Sequence, residues 1–202
     1  MTYSKESHRD DYYSKQIIKL IRKDRLRLEA LYHVYHLGLP DCYIAAGFVR
    51  NLVWDFLHNY NEPTALNDVD VIYFDTNETD SESTYEKHLK ALMPNVNWQV
   101  RNQARMNERN GDAPYNNSLD AMSYWPEKET AVAVRMLYKS EIECISAFGF
   151  HSLFESQLTH NAKRTFEVFE SRLTQKGWLK QWPLLHLADA HDNLKSEPTG
   201  SL

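Results

Sequence analysis

Asn67-Asp68-Val69-Asp70-Val71-Ile72-Tyr73-Phe74-Asp75 is the stretch whose reading decides the fold. Val69, Val71 and Tyr73 alternate with Asp68, Asp70 and Ile72, and Phe74 follows. β-Branched and aromatic residues in that pattern predict a strand buried on most of both faces. Side chains two apart share a face, so both carboxylates point the same way. A rise of roughly 3.3 Å per residue puts their Cβ atoms about 6–7 Å apart. Two unpaired carboxylates in an apolar strand are costly unless a cation or donors compensate. Mg²⁺, or Mn²⁺, suits such a pair, because it takes one or two carboxylates and leaves room for phosphate oxygens and water.

Working outward, Ile44-Ala45-Ala46-Gly47-Phe48-Val49-Arg50-Asn51 reads as a strand, a glycine turn and a helix start. Backbone N–H groups and the positive end of the helix can hold a phosphate tail there. A carboxylate pair and a phosphate cradle are together the parts of metal-assisted nucleotidyl transfer. Each half alone is weak evidence: a glycine between strand and helix is ordinary turn chemistry, and Asp-x-Asp often lies at a solvated edge.

The rest of the chain predicts an α+β domain with a small mixed sheet flanked by helices. Residues 1–14 read as a flexible tail, 15–157 as the main domain, 158–190 as a C-terminal helical segment and 191–202 as a second tail. Ile17, Ile18, Ile21, Leu28, Leu31 and Val34 recur at helical spacing. Val49 to Leu57 and Tyr85 to Met93 read as helices, and Trp98 and Val100 as a strand. Asn107 to Asn117 reads as a surface loop, with Ser118 capping a short helix after it. Thr130–Tyr138 and Glu141–Ala147 form a hairpin turning at Lys139-Ser140. Thr159 to Leu173 reads as a helix.

Composition narrows the function. The 202 residues are 42% hydrophobic, enough for a real core. A net charge of −5 argues against a strongly basic groove for bulk nucleic acid, although Arg101, Arg105 and Arg109 lie close together. Cys42 and Cys144 match no metal spacing and suit a reducing cytosol. No apolar run reaches the ~20 residues that span a bilayer, and Met1 to Asp11 is too polar for a secretory signal. The expectation is a cytoplasmic protein with no membrane association. His33 and His36, three apart, fit a solvated helix face better than a metal site.

Ala46-Gly47-Phe48-Val49-Arg50-Asn51 resembles the Gly-Gly-x-Val-Arg-Asp segment of CCA-adding enzymes and the wider polymerase-β superfamily. Asp68 and Asp70 fall where that superfamily has its paired metal ligands. More closely, the chain resembles a bacterial family of nucleotidyltransferase-like proteins, through Ala46–Asp55, Asn67–Asp75, Val100–Met106, Tyr124–Glu127 and Thr130-Ala131. The resemblance spans roughly residues 28 to 155. It implies a polymerase-β-like nucleotidyltransferase fold. It also implies transfer of a nucleoside monophosphate from a nucleoside triphosphate to a hydroxyl acceptor, with Asp68 and Asp70 holding Mg²⁺. Ala46 replaces the first glycine of the motif, and Ser152 stands where an acid is usual.

The third carboxylate of the superfamily is not obvious. Glu143, in an apolar-acid-apolar strand pattern, is the favoured candidate, Asp120 the second, and Gln99 holds a plausible strand position without the charge. Gly47, Arg50, Asn51, Asn102 and Arg105 are the candidate nucleotide-binding residues. Arg50 either binds phosphate or pairs with an acid such as Asp55. Asn102, Gln103 and Arg105 either read a base or triphosphate or form a hydrogen-bonded turn. Trp125-Pro126-Glu127 either forms a stacking wall or packs a corner. A small-molecule or protein acceptor suits the acidic charge better than RNA. The rival readings are a non-catalytic nucleotide-binding or regulatory module and an RNA-end modifying enzyme.

Overall fold

The computed structural model describes residues 3–77 and 81–188. Its elements run α1 (Tyr3–Ile21), α2 (Arg25–Tyr35), β1 (Tyr43–Ala45), α3 (Gly47–Leu57), β2 (Val69–Tyr73), α4 (Glu82–Leu92) and β3 (Trp98–Asn102). Then come α5 (Met106–Asn110), α6 (Ser118–Met122), β4 (Val132–Met136), β5 (Ile142–Ser146), α7 (His151–Phe154), β6 (Gln157–Leu158), α8 (Phe166–Lys176), α9 (Trp178–Gln181) and β7 (His186–Leu187). The five-stranded sheet has the order β3-β2-β1-β4-β5. Within this sheet β2 and β3 pair in parallel and the other three ladders are antiparallel; β6 and β7 form a separate parallel pair. The small mixed sheet flanked by helices is the expected architecture.

The two faces of the sheet differ, and that difference makes the site. On one face Ile44, Val69, Val71, Tyr73, Val100, Val132 and Val134 join Ile17, Ile21, Leu31, Val49 and Val53 from the helices in one large core. On the other, Tyr43, Ala45, Ile72, Ala131 and Ala133 meet only Met122 and a few partly buried neighbours. Across this face the ladder aligns Gln99, Asp70, Ala45, Ala133 and Ile145. Ala45 stands directly beside Asp70 in that row, and both alanines are fully buried.

Several boundaries differ from expectation for local reasons. The stretch read as a loose tail is helical from Tyr3, and contacts anchor it from Asp10 onward. Asp10 Oδ1 accepts from the Phe150 amide at 3.0 Å, and the Tyr13 ring stacks on Phe154 at 4.4 Å. The helical pattern from Lys15 is two helices, since Asp24 caps α2 by accepting from the Arg27 amide at 3.0 Å. The region Asn107–Asn117 opens with α5, which ends at Gly111 with φ +72°. Asn117, rather than Ser118, caps α6. The helix expected from Thr159 starts at Phe166. Ahead of it Asn161 is held in a loop, donating from Nδ2 to Ser123 O at 2.8 Å and Trp125 O at 2.7 Å.

Phe169, Trp178, Trp182 and Leu185 bury themselves in the same large core as the sheet. Trp182 Nε1 donates to Asp55 Oδ1 at 2.8 Å. The final tail, 191–202, lies outside the described residues. No helix among the described residues is long and apolar enough to cross a membrane.

Candidate functional site

Asp68 precedes β2 and Asp70 lies within it, and both open into one cleft on the thin face of the sheet. The cleft has two lobes that share Ala46, Asp68, Asp70, Thr130, Arg172 and Lys176. The deeper lobe, about 240 Å³, adds Gly47, Arg50, Asn51 and Trp178. The wider lobe, about 360 Å³, adds Gln99, Arg101, Gln103, Met106, Trp125 and Pro126. The carboxylate pair and the glycine turn thus meet across a cleft.

Asp70 accepts no hydrogen bond from the described residues, and Asp68 receives only a long one, 3.4 Å, from Gln99 Nε2. Burial, and then the neighbouring Asp68 charge, push the Asp70 carboxyl up to about 6, against the pull of Arg50, Lys176 and Arg101. Two under-satisfied, mutually repelling carboxylates facing open space are a donor set that fits a hard divalent cation.

The glycine turn carries strain. Ala46 sits at φ +55°, ψ −123°, a conformation that glycine adopts freely and alanine does not. Its amide donates to Val132 O at 3.0 Å, and its carbonyl accepts from the Arg50 amide at 2.9 Å. Those bonds pin α3 so that its first turn points at the cleft. A methyl group added at Gly47 would approach Arg50 Nη2 at 3.4 Å and Asn51 at 3.6 Å, ordinary contact distances. The packing of the chain therefore tolerates a side chain here.

Arg50 does not pair with Asp55. Asp55 instead accepts from the Thr64 amide and hydroxyl at 2.8 and 2.6 Å and from Trp182. The Arg50 guanidinium is buried between the rings of Trp54 and Trp178, at 5.0 and 4.5 Å. It donates from Nη1 to Thr130 Oγ1 at 2.7 Å and from Nη2 to Asn51 Oδ1 at 3.1 Å. Its buried Nε has no hydrogen-bond partner. Burial lowers its pKa to about 10, opposed by the charges of Glu127, Asp70 and Asp68.

Glu143 is not brought to the pair. It lies on the outer strand β5, three strand spacings from β2, or about 14 Å at roughly 4.8 Å each. There it binds Arg135 Nε at 2.5 Å and accepts from the Tyr43 hydroxyl at 3.3 Å. Asp120 accepts from the Asn116 amide and side chain at 2.9 and 2.8 Å and does not line the cleft. No three acids, histidines or cysteines cluster as metal ligands among the described residues. The neighbouring-strand position beside Asp70 belongs to Gln99.

Asn102 is fully buried in a structural turn: Oδ1 accepts from the Asp75 and Ala104 amides, both at 3.1 Å, and Nδ2 donates to Asp75 O at 2.7 Å. Arg105 is exposed and does not line the cleft. Arg101 does line it, with Glu86 at 2.6 Å and Glu82 at 3.7 Å balancing its charge. Of the polar cluster Asn102, Gln103 and Arg105, Gln103 alone reaches the site, where Arg101 of β3 and Trp125-Pro126 join it. Sequence reasoning missed Arg172 and Lys176. They lie four apart on α8 and so face the cleft together; that spacing was the one available signal.

A family model described as nucleotidyltransferase matches residues 32–187. Among solved structures, a protein whose NMR structure is described as revealing a CCA-adding enzyme head domain is 28% identical. It aligns with a TM-score of 0.77 over 87% of this chain and 96% of that one. A CCA-adding enzyme in complex with CTP is 13% identical with a TM-score of 0.58, covering 88% of this chain and 44% of that one. The Thermotoga maritima CCA-adding enzyme complexed with tRNA is 14% identical with a TM-score of 0.57, covering 88% and 43%. The chain thus spans less than half the length of these two enzymes, and its likeness to them is one of fold. No curated protein matches the chain.

Proposed function

The chain belongs to this nucleotidyltransferase family, and from that premise we propose that it moves a nucleoside monophosphate from a nucleoside triphosphate to a hydroxyl-bearing acceptor. One observation carries the reading: Asp68 and Asp70, poorly satisfied by the protein, open into the same cleft as the first turn of α3. Asp68 and Asp70 are the residues that would hold Mg²⁺, whose positive charge offsets that of the phosphate oxygens.

The chain's own groups divide the remaining work. The amides at Gly47 and the buried cation of Arg50 hold phosphate, with Asn51 orienting the guanidinium. Trp125 and Pro126 offer an apolar wall to a base or acceptor ring, and Gln99 and Gln103 supply polar contacts. The acceptor oxygen bonds to the α-phosphorus as its proton is released, and the bond to pyrophosphate breaks. A small molecule or a protein side chain suits a cleft of this size and a chain of net charge −5 better than bulk RNA does.

A second reading, a nucleotide-binding module without transfer, is favoured by one feature: an amide, Gln99, stands beside Asp70 where a third acid would serve. A labelling experiment separates the two. The protein is incubated with Mg²⁺, α-labelled nucleoside triphosphates and a metabolite extract. The transferase reading predicts labelled product and released pyrophosphate, both lost in Asp70→Asn. Nucleotide binding with no label transferred supports the module.

A further inference from the structure

We propose that α8 supplies the pyrophosphate-binding half of the site. Lys176 and Arg172 receive the β- and γ-phosphates opposite Gly47 and Arg50, and buried Glu127 aims Arg172. This inference rests on the nucleotidyltransferase reading and adds Arg172 and Lys176, which lie outside its sequence motifs.

Four observations converge on it. First, Arg172 and Lys176 line both lobes and therefore stand at their junction, beside Asp68 and Asp70. Second, their spacing of one helical turn points both cations the same way. Third, Glu127 is completely buried, and its two oxygens accept from Arg172 Nε at 2.5 Å and Nη2 at 3.2 Å. A two-pronged bond of that kind fixes a guanidinium in orientation as well as in place. Among the described residues Arg172 Nη1 has no partner. Fourth, the deep lobe already contains a buried cation with an unmet donor, the Nε of Arg50. Arg50, Arg172 and Lys176 face one lobe whose acids are Asp68 and Asp70 at its rim. Were those two carboxylates to hold Mg²⁺, the remaining charge in the lobe would be strongly positive. Its complement is a compact polyanion.

Lys176 and Glu127 divide the roles. Lys176 is exposed and, among the described residues, has no ion pair, so the fold does not depend on it. Glu127 is a positioning residue: it touches Arg172 and does not line the cleft. Removing Arg172 itself leaves a buried carboxylate unpaired and destabilises the protein, so Lys176 is the cleaner probe.

The test is calorimetry in Mg²⁺ with inorganic pyrophosphate, each nucleoside triphosphate and each nucleoside monophosphate. Lys176→Gln is expected to weaken pyrophosphate and triphosphate about tenfold, leave monophosphate affinity unchanged, and keep the melting temperature. Lys176→Arg is expected to restore binding. Glu127→Gln should lower the ratio of triphosphate to monophosphate affinity, a change that a merely structural role would not produce. Equal affinities in wild type and Lys176→Gln overturn the proposal while leaving the nucleotidyltransferase reading in place, as does an equal loss for mono- and triphosphate. Wild-type protein that binds neither pyrophosphate nor triphosphate overturns both.

Discussion

Gln99 stands directly across the parallel β2–β3 ladder from Asp70 and donates to Asp68 at 3.4 Å. An uncharged amide therefore touches the carboxylate pair at the position where a third acid would complete it. Gln99→Glu adds a like charge there. The apo protein is expected to melt lower than wild type, and its gain in melting temperature on adding Mg²⁺ to be larger, since a ligand of the folded state shifts the melt. Thermal melts with and without Mg²⁺ check this. An unchanged Mg²⁺ response argues against a cation site at the pair.

The pH dependence of the apo protein reports the same crowding. Folding raises the Asp70 carboxyl from 3.8 to about 6, chiefly through burial and then through Asp68. A folded chain that holds a proton more tightly than the unfolded chain gains stability below the unfolded value. That gain is lost as pH rises through the folded value. Asp70 therefore lowers apo stability between about pH 4 and pH 6. Asp70→Asn should flatten that part of the profile and melt higher than wild type at pH 7. Parallel profiles for the two proteins would contradict the assignment.

Ala46 holds a backbone conformation suited to glycine, φ +55° and ψ −123°. Strain of this kind costs on the order of 1–3 kcal/mol. Ala46→Gly is expected to stabilise the protein by about 1 kcal/mol, or roughly 2–4 °C for a chain of this size. Ala46→Val should destabilise it. Denaturant unfolding of both variants measures the difference, and a less stable glycine variant would contradict the strain.

Asn102 separates structure from recognition. Its amide satisfies the Asp75 and Ala104 backbones from a fully buried position. Asn102→Ala should cost about 2–3 kcal/mol by leaving those groups unpaired. Nucleoside triphosphate affinity of the protein that remains folded should be unchanged. A selective loss of affinity at full stability would return Asn102 to the binding site.

Much of this was legible in the sequence, for identifiable reasons. Period-two alternation around Asp68 and Asp70, and a glycine between an apolar run and an amphipathic helix, are local patterns that tertiary structure did not override. The hairpin at Lys139-Ser140 was legible from the apolar runs that flank it, while the positive φ of both turn residues, 58° and 59°, was not, since neither is glycine or asparagine. What failed depended on partners far along the chain. Asp10 gains its role from Phe150 and Glu143 is claimed by Arg135, and no spacing announces either bond. Arg172 and Lys176 belong to no motif, and Lys176 lies beyond the helix expected over Thr159–Leu173; in the structure they share one face of α8. Only the packing of Phe169 and Trp178 into the core brings that face to the cleft.

Calorimetric titration of each nucleoside triphosphate, with Mg²⁺ and with chelator, into wild type, Asp68→Asn and Asp70→Asn reads the carboxylate pair itself. Wild type is expected to bind at least one nucleoside triphosphate in Mg²⁺, and chelator or either substitution to weaken that binding by at least about tenfold, or 1.4 kcal/mol. Binding of equal strength in all three proteins, or equal with and without Mg²⁺, would contradict a cation site at the pair.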